Sequence, residues 1–155
     1  MKRYYPRVFA NSLYEASCAR MLPKLYDLSD FLVHVAHYHP SAASFPHRVA
    51  VMEHCSSFHQ YGRQDSLWQL LQEVQAIELL QFPDPDNCCG KGGWVDWTFP
   101  PLSQCMAASR VHEAASLGAQ YVVGTEYSCL HHLQESFSRE KLPIQCRHLL
   151  DLLVC

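Results

Sequence analysis

The sequence predicts an α/β fold built on a parallel sheet of about four strands, with helices on both faces and a helical segment in front. Three observations lead there. Short valine-rich apolar runs alternate with amphipathic helical stretches, the spacing that βαβ units require. The chain has 155 residues, about one domain, and a chain of that size buries roughly two-thirds of its extended surface without covalent staples. Apolar residues make up 48% and charged residues 17%, a balance that suits one core and excludes disorder.

The elements follow in order. Residues 1–46 read as a helical N-terminal segment plus linker. Within it, "YDLSDFLVHVA" (26–36) places Leu28, Phe31, Leu32 and Val35 on one helical stripe. The linker is "HYHPSAASFPHR", and residues 47–155 form the α/β domain. There, "RVAVMEH" (48–54), "AIELLQF" (76–82) and "AQYVVGT" (119–125) read as buried strands, with "LPIQC" (142–146) a weaker fourth. "DSLWQLLQEVQ" lies between the first two, where Asp65 can cap and Leu67, Leu70, Leu71 and Val74 repeat at helical spacing. "PPLSQCMAASRVHEAASLG" lies between the next two. Its prolines suit a first turn, Ala107, Ala108, Val111 and Ala115 share a face, and Gly118 ends it. A shorter helix, "CLHHLQESF", follows the third strand. Alternation of this kind makes a Rossmann-like sheet the natural architecture.

Composition excludes several function classes. With 12 basic against 15 acidic residues the formal net charge is -3, so no nucleic acid partner is expected. No apolar run approaches the roughly 18 residues of a membrane span, and the start "MKRYYPRVFANS" lacks a signal peptide's apolar stretch. No direct membrane insertion is expected, and the default address is the cytoplasm. No Ser-His-Asp set, phosphate loop or paired-carboxylate signal stands out.

The eight cysteines carry the chemistry. In a reducing compartment, clustered thiols more often serve metal binding or redox chemistry than disulfides. Cys105, Cys146 and Cys155 sit in apolar contexts and read as small buried hydrophobes. Cys55 follows the first strand, Cys88 and Cys89 the second, and Cys129 the third. Ligand sites of open parallel sheets form where loops leave the strand C-termini, so these distant thiols become neighbours. Gly90, Gly92 and Gly93 permit positive φ and close approach. Cys129, at a helix start, has its thiolate favoured by the N-terminal dipole. Four thiolates suit zinc or an iron-sulfur cluster, and ligand type alone does not separate the two. Typical structural zinc sites use two C-x2-C knuckles, which this chain lacks.

Other residues read more plainly. His34, His37 and His39 are expected at a helix end on the surface. His54 and His59 flank Cys55, and His131 and His132 follow Cys129, in supporting or solvent-facing roles. Asp84, Asp86 and Asp96 are expected to form turns. Trp94 and Trp97 are expected to pack over the site or into the core.

The segments "EHCSSFH", "PDPDNCCGKGG" and "VVGTEYSCLHHL" resemble the cysteine-rich CCG domain. That domain is found in the B subunit of heterodisulfide reductase, in iron-sulfur subunits of glycolate and glycerol-3-phosphate oxidation, and, in nearest likeness, in the lactate-utilisation iron-sulfur protein A. The resemblance runs from about residue 12 to the end, and one repeat of the form C...CCG...C matches Cys55, Cys88, Cys89 and Cys129. It implies an iron-sulfur cluster, [4Fe-4S] in type, in an electron-transfer subunit or fragment of a complex oxidising lactate or a similar 2-hydroxy acid. Other subunits of that oxidoreductase complex are the implied partners, and the chain is not expected to be a catalyst alone.

Departures from the pattern matter too. Glu126 stands where members with a final C-x-x-C have its first cysteine, so four cysteines, enough for a cubane, replace a five-cysteine set. Ser128 replaces the usual glycine, and Lys91 interrupts the glycine segment. "EASCARML" with Cys18 resembles the closing segment of a preceding repeat, and "YDLSDFL" the helix joining repeats. The chain is therefore expected to be the C-terminal half or two-thirds of such a protein, with Cys18 and Glu126 as possible additional ligands. The alternative is a degenerate structural module that binds zinc or no metal and acts as an interaction partner.

Overall fold

The computed structural model describes residues 2–54, 65–85 and 87–154. Cys55, His59, Asp86 and Cys155 lie outside the described residues. The N-terminal segment contains α1 (Tyr5–Val8), α2 (Glu15–Met21), a 3-10 turn (Leu22–Lys24) and α3 (Leu28–His34). There follow β1 (Arg48–Val51), α4 (Asp65–Gln72), β2 (Glu78–Gln81), α5 (Val95–Thr98), α6 (Pro100–Ser116), β3 (Tyr121–Gly124), α7 (Tyr127–Arg139), β4 (Gln145–His148) and α8 (Leu149–Leu153). The four strands pair in the order β2-β1-β3-β4, every pairing parallel. The expected α/β architecture, with a helical segment in front, is the one found.

Successive strand residues point to opposite faces, so a strand covered on both sides must be apolar throughout. β1 meets that demand from Val49 onward. Val49 and Val51 face a core made with Leu67, Leu70 and Leu71 of α4 and Leu149 and Leu152 of α8. Ala50 and Met52 face the opposite core, made with Ala107 and Val111 of α6 and Leu133 and Phe137 of α7. α3 joins the first of these layers through Leu32 and Val33. Asp27 caps it by accepting the Ser29 N–H at 3.0 Å, and Asp30 accepts the Ser66 hydroxyl of α4 at 2.7 Å.

Several details differ from the sequence reading. Phe31 and Val35 are exposed rather than part of the buried stripe, because α3 turns Leu32 and Val33 to α4. The fourth strand starts three residues later than expected: Leu142 and Ile144 turn into the α7 core instead of pairing, and the ladder begins at Gln145 opposite Tyr121. β2 begins at Glu78 because Ala76 has φ 59, which strand backbone does not tolerate. α7 starts at Tyr127, so Cys129 lies within its first turn. Among the described residues no helix is long and apolar enough to cross a membrane.

Leu70 has no exposed surface. Leu70→Ala should therefore destabilise the protein by about 2–5 kcal/mol, measured by urea unfolding. Leu102→Ala, at an exposed position of α6, should stay within about 0.5 kcal/mol of the parent.

Candidate metal centre

From β1 the chain crosses to one side to form β2, then to the other side of β1 to form β3. Such a reversal leaves a crevice beyond the strand C-termini, where loops diverge to opposite faces. The loop that carries Cys88 and Cys89, and the turn that leads into the helix of Cys129, leave the sheet there.

Helix α6 is the platform for the loop that follows β2. Arg110, only 1% exposed, stacks its guanidinium over the Phe82 ring, 4.0 Å from the centroid. Its Nη1 donates to the Asp84 carbonyl at 2.7 Å and to Glu113 Oε2 at 2.8 Å. Asn87 Nδ2 donates to the other oxygen of that carboxylate at 3.0 Å. One to two turns before Arg110 on α6, at Met106 and Ser103, the backbone of Gly90 rests on the helix. A Cβ at Gly90 would lie 2.8 Å from the Ser103 carbonyl oxygen and 3.0 Å from Met106 Cβ, and its φ is +83. Glycine is therefore required twice over, by conformation and by space. Ser103 Oγ lies 3.0 Å from His132 Nε2, which ties this seat to α7.

On that platform the thiols meet. The Gly90 N–H points at Cys88 Sγ, 3.4 Å away. Cys89 is buried, and a hydrogen bond from Cys129 pulls its thiol well below the ordinary range, to about 7. Burial pushes the other way, while the Lys91 backbone and the Cys88 side chain add further hydrogen bonds that favour the thiolate. Cys88, Cys89 and Cys129 thus form one hydrogen-bonded row joining the loop after β2 to the helix after β3. Lys91 stands beside the row, its Nζ held by Asp96 at 2.8 Å.

The remaining candidates are distributed differently. Cys18 is buried on α2, beside a cavity of about 210 Å³ lined by Pro6, Phe9, Glu15, Ala19 and Leu22, and is not among the partners of Cys89. Glu126 is the N-cap residue of α7 and its side chain is exposed. Gly93 takes φ +68, whereas Gly92 has no positive φ and open space around it. Trp94 and Trp97 neither cover the site nor fill the core: they are 74% and 79% exposed and touch each other edge to face at 6.2 Å. Cys105 is exposed rather than buried, and Cys146 is half-buried. Among the described residues no three Cys, His, Asp or Glu side chains converge on a point that one metal ion could occupy.

One contributor escaped sequence reasoning: Arg110, whose partners Phe82 and Asp84 reach it only through the fold. His54, expected in a supporting or solvent-facing role, is buried and neutral, its imidazole held down at about 4 by burial.

A family model described as a CCG cysteine-rich domain matches residues 49–134. The chain belongs to the CCG cysteine-rich domain family. The matched span runs from β1 into α7 and includes Cys55, Cys88, Cys89 and Cys129. Among curated relatives, Lactate utilization protein A of Geobacillus thermodenitrificans (strain NG80-2) is 28% identical over 154 residues, covering 99% of this chain and 64% of the relative. The protein of the same name from Lysinibacillus sphaericus (strain C3-41) is 28% identical over 156 residues, covering 100% of this chain and 68% of the relative. That from Geobacillus kaustophilus (strain HTA426) is 29% identical over 154 residues. This CCG chain spans 64% to 68% of the length of the first two relatives. No solved structure matches it with significance.

Gly90→Ala should destabilise the metal-free protein by about 2–4 kcal/mol, combining left-handed strain with overpacking, whereas Gly92→Ala should change urea unfolding by less than about 0.5 kcal/mol. Thiol accessibility gives a second check. Burial pushes the Cys146 thiol up to about 12, so brief iodoacetamide treatment of the native protein at mildly alkaline pH should label Cys105 and spare Cys146, as read by peptide mass spectrometry.

Proposed function

We propose that this chain holds an iron-sulfur cluster, [4Fe-4S] in type, through Cys55, Cys88, Cys89 and Cys129, and passes electrons within a complex that oxidises lactate or a similar 2-hydroxy acid. The observation that carries the reading is the row of three thiols, Cys88, Cys89 and Cys129, drawn together from the loop after β2 and the first turn of α7 at the sheet's reversal point. In sequence, Cys55 follows β1, the strand that lies between β2 and β3.

The donor chemistry fits such a group. Soft thiolates are the usual ligands of iron-sulfur clusters, and backbone N–H groups directed at sulfur, as at Gly90, stabilise thiolate and tune a cluster's potential. The buried Nδ1 of His54, which meets no partner among the described residues, is a further polar atom on the residue that precedes Cys55 in sequence. When bound, the cluster would supply reversible one-electron transfer. The chain's own residues would hold it, keep the Cys88 and Cys89 turn in place and limit access of water. Lactate enters through the relatives' name, Lactate utilization protein A. The organic substrate would bind elsewhere in the complex, and the other iron-sulfur subunits would be the partners.

Anaerobic reconstitution with iron and sulfide tests the reading. The parent protein should take up iron and sulfide and gain a broad visible absorption; Cys88→Ser and Cys89→Ser should lose both, while Cys105→Ser keeps them. Equal retention in all three variants, or colourless protein with stoichiometric zinc, would overturn it.

A further inference from the structure

The turn between β3 and α7 decides where Cys129 stands, and it is held by two imidazoles. His54, 1% exposed, accepts the backbone N–H groups of Thr125 and Glu126 at its Nε2, each at 2.9 Å. A ring nitrogen that accepts two N–H bonds carries its lone pair, so the proton of His54 resides on Nδ1 and the ring is neutral. The carbonyl of the same Thr125 receives Nε2–H of His148 at 3.1 Å. His148 Nδ1 accepts the Leu150 N–H at 3.2 Å, which fixes the tautomer of the second ring as well.

The surrounding chain is shaped for this arrangement. A Cβ at Gly124 would run into the His54 ring, so the residue before the turn lacks a side chain where the imidazole sits. Glu126, the N-cap residue of α7, provides no side-chain cap, and the turn is held from outside the helix instead. Both peptide groups of the turn are thereby oriented: His54, just past β1, holds the N–H of each, and His148, at the end of β4, holds the carbonyl of the second. The first turn of α7, with Cys129 in it, begins immediately afterwards.

We propose that His54 and His148 are positioning residues: a two-histidine clamp on Thr125 and Glu126 sets the reach of Cys129 toward Cys89 and so the geometry of the thiol row. The functional consequence rests on reading those cysteines as ligands; the clamp itself does not. Because His54 directly precedes Cys55 in sequence, one ring links the β1 loop to the helix that carries Cys129.

The test uses His54→Leu, which fills the space without an acceptor, His54→Gln, whose amide oxygen can accept both N–H groups, and His148→Leu. In reduced, metal-free protein, dibromobimane cross-linking of Cys89 to Cys129 is mapped by mass spectrometry, and amide exchange is followed at Thr125 and Glu126. His54→Leu should lower the cross-link yield and accelerate exchange at both amides by about fivefold or more, the effect of losing hydrogen bonds of ordinary strength. His54→Gln should restore both readouts. His148→Leu should lower the yield while leaving the two amides bonded to His54, which keeps the clamp testable if His54→Leu does not fold. Cross-linking and exchange equal to the parent in a folded His54→Leu, or a folded His54→Gln as impaired as His54→Leu, would overturn the proposal. Iron and sulfide reconstitution of the same proteins adds a separate arm, in which His54→Leu should show a changed visible spectrum per iron. A parent that cross-links but takes up no iron would refute the cluster reading and leave the clamp standing.

Discussion

Four strands running in one direction place all their C-terminal ends on one edge of the sheet, and the rest of this molecule follows from that constraint. Parallel pairing requires crossovers, and here they lie on both faces: α4 on one, α6 and α7 on the other. The strands between them must be apolar on both sides, as Val49, Ala50 and Val51 are. Since β2 and β3 lie on opposite sides of β1, their loops leave the sheet apart and return over its end. The thiols of Cys89 and Cys129 meet there because the topology brings them there.

A buried cation holds the largest of these loops. Burying a guanidinium costs several kcal/mol after relaxation. At Arg110 this is offset by the Glu113 carboxylate, the Asp84 carbonyl and the face of Phe82, a desolvated cation–π contact contributing about 2 kcal/mol. Its Nε and Nη2 find no partner among the described residues. A leucine would bury at less cost, but it would reach neither the Asp84 carbonyl nor, through Glu113, Asn87. The charge exchanges some stability for a fixed path from the end of β2 to Gly90.

Much of the architecture was legible because it depends on local pattern. Val122 and Val123 in succession announce a strand buried on both faces, and the leucines of α4 announce its inner stripe. Legibility failed where a residue's surroundings come from elsewhere in the chain. Phe31 and Val35 share a helical stripe with Leu32, yet α3 packs Leu32 and Val33 against the core and bonds Asp30 to Ser66 of α4, which leaves Phe31 and Val35 in solvent. Cys105 sits in an apolar stretch but on the outer side of α6. Trp94, held at φ 65, follows the glycines and faces outward, although nearby tryptophans suggested a cover.

Sequence alone determined the alternation of strands and helices, the succession of Cys55, Cys88, Cys89 and Cys129 after three strands, and the family, because periodicity and motif spacing are properties of the chain read in one dimension. Only the tertiary structure decided that Gly90 must be glycine while Gly92 need not be, that Arg110 lies under the cysteine loop, and that His54 and His148 grip the same turn. Those outcomes depend on contacts between residues far apart in the chain, such as Gly90 with Ser103 and His54 with Thr125, and exclusion of space and the satisfaction of buried polar groups act only once such residues are neighbours.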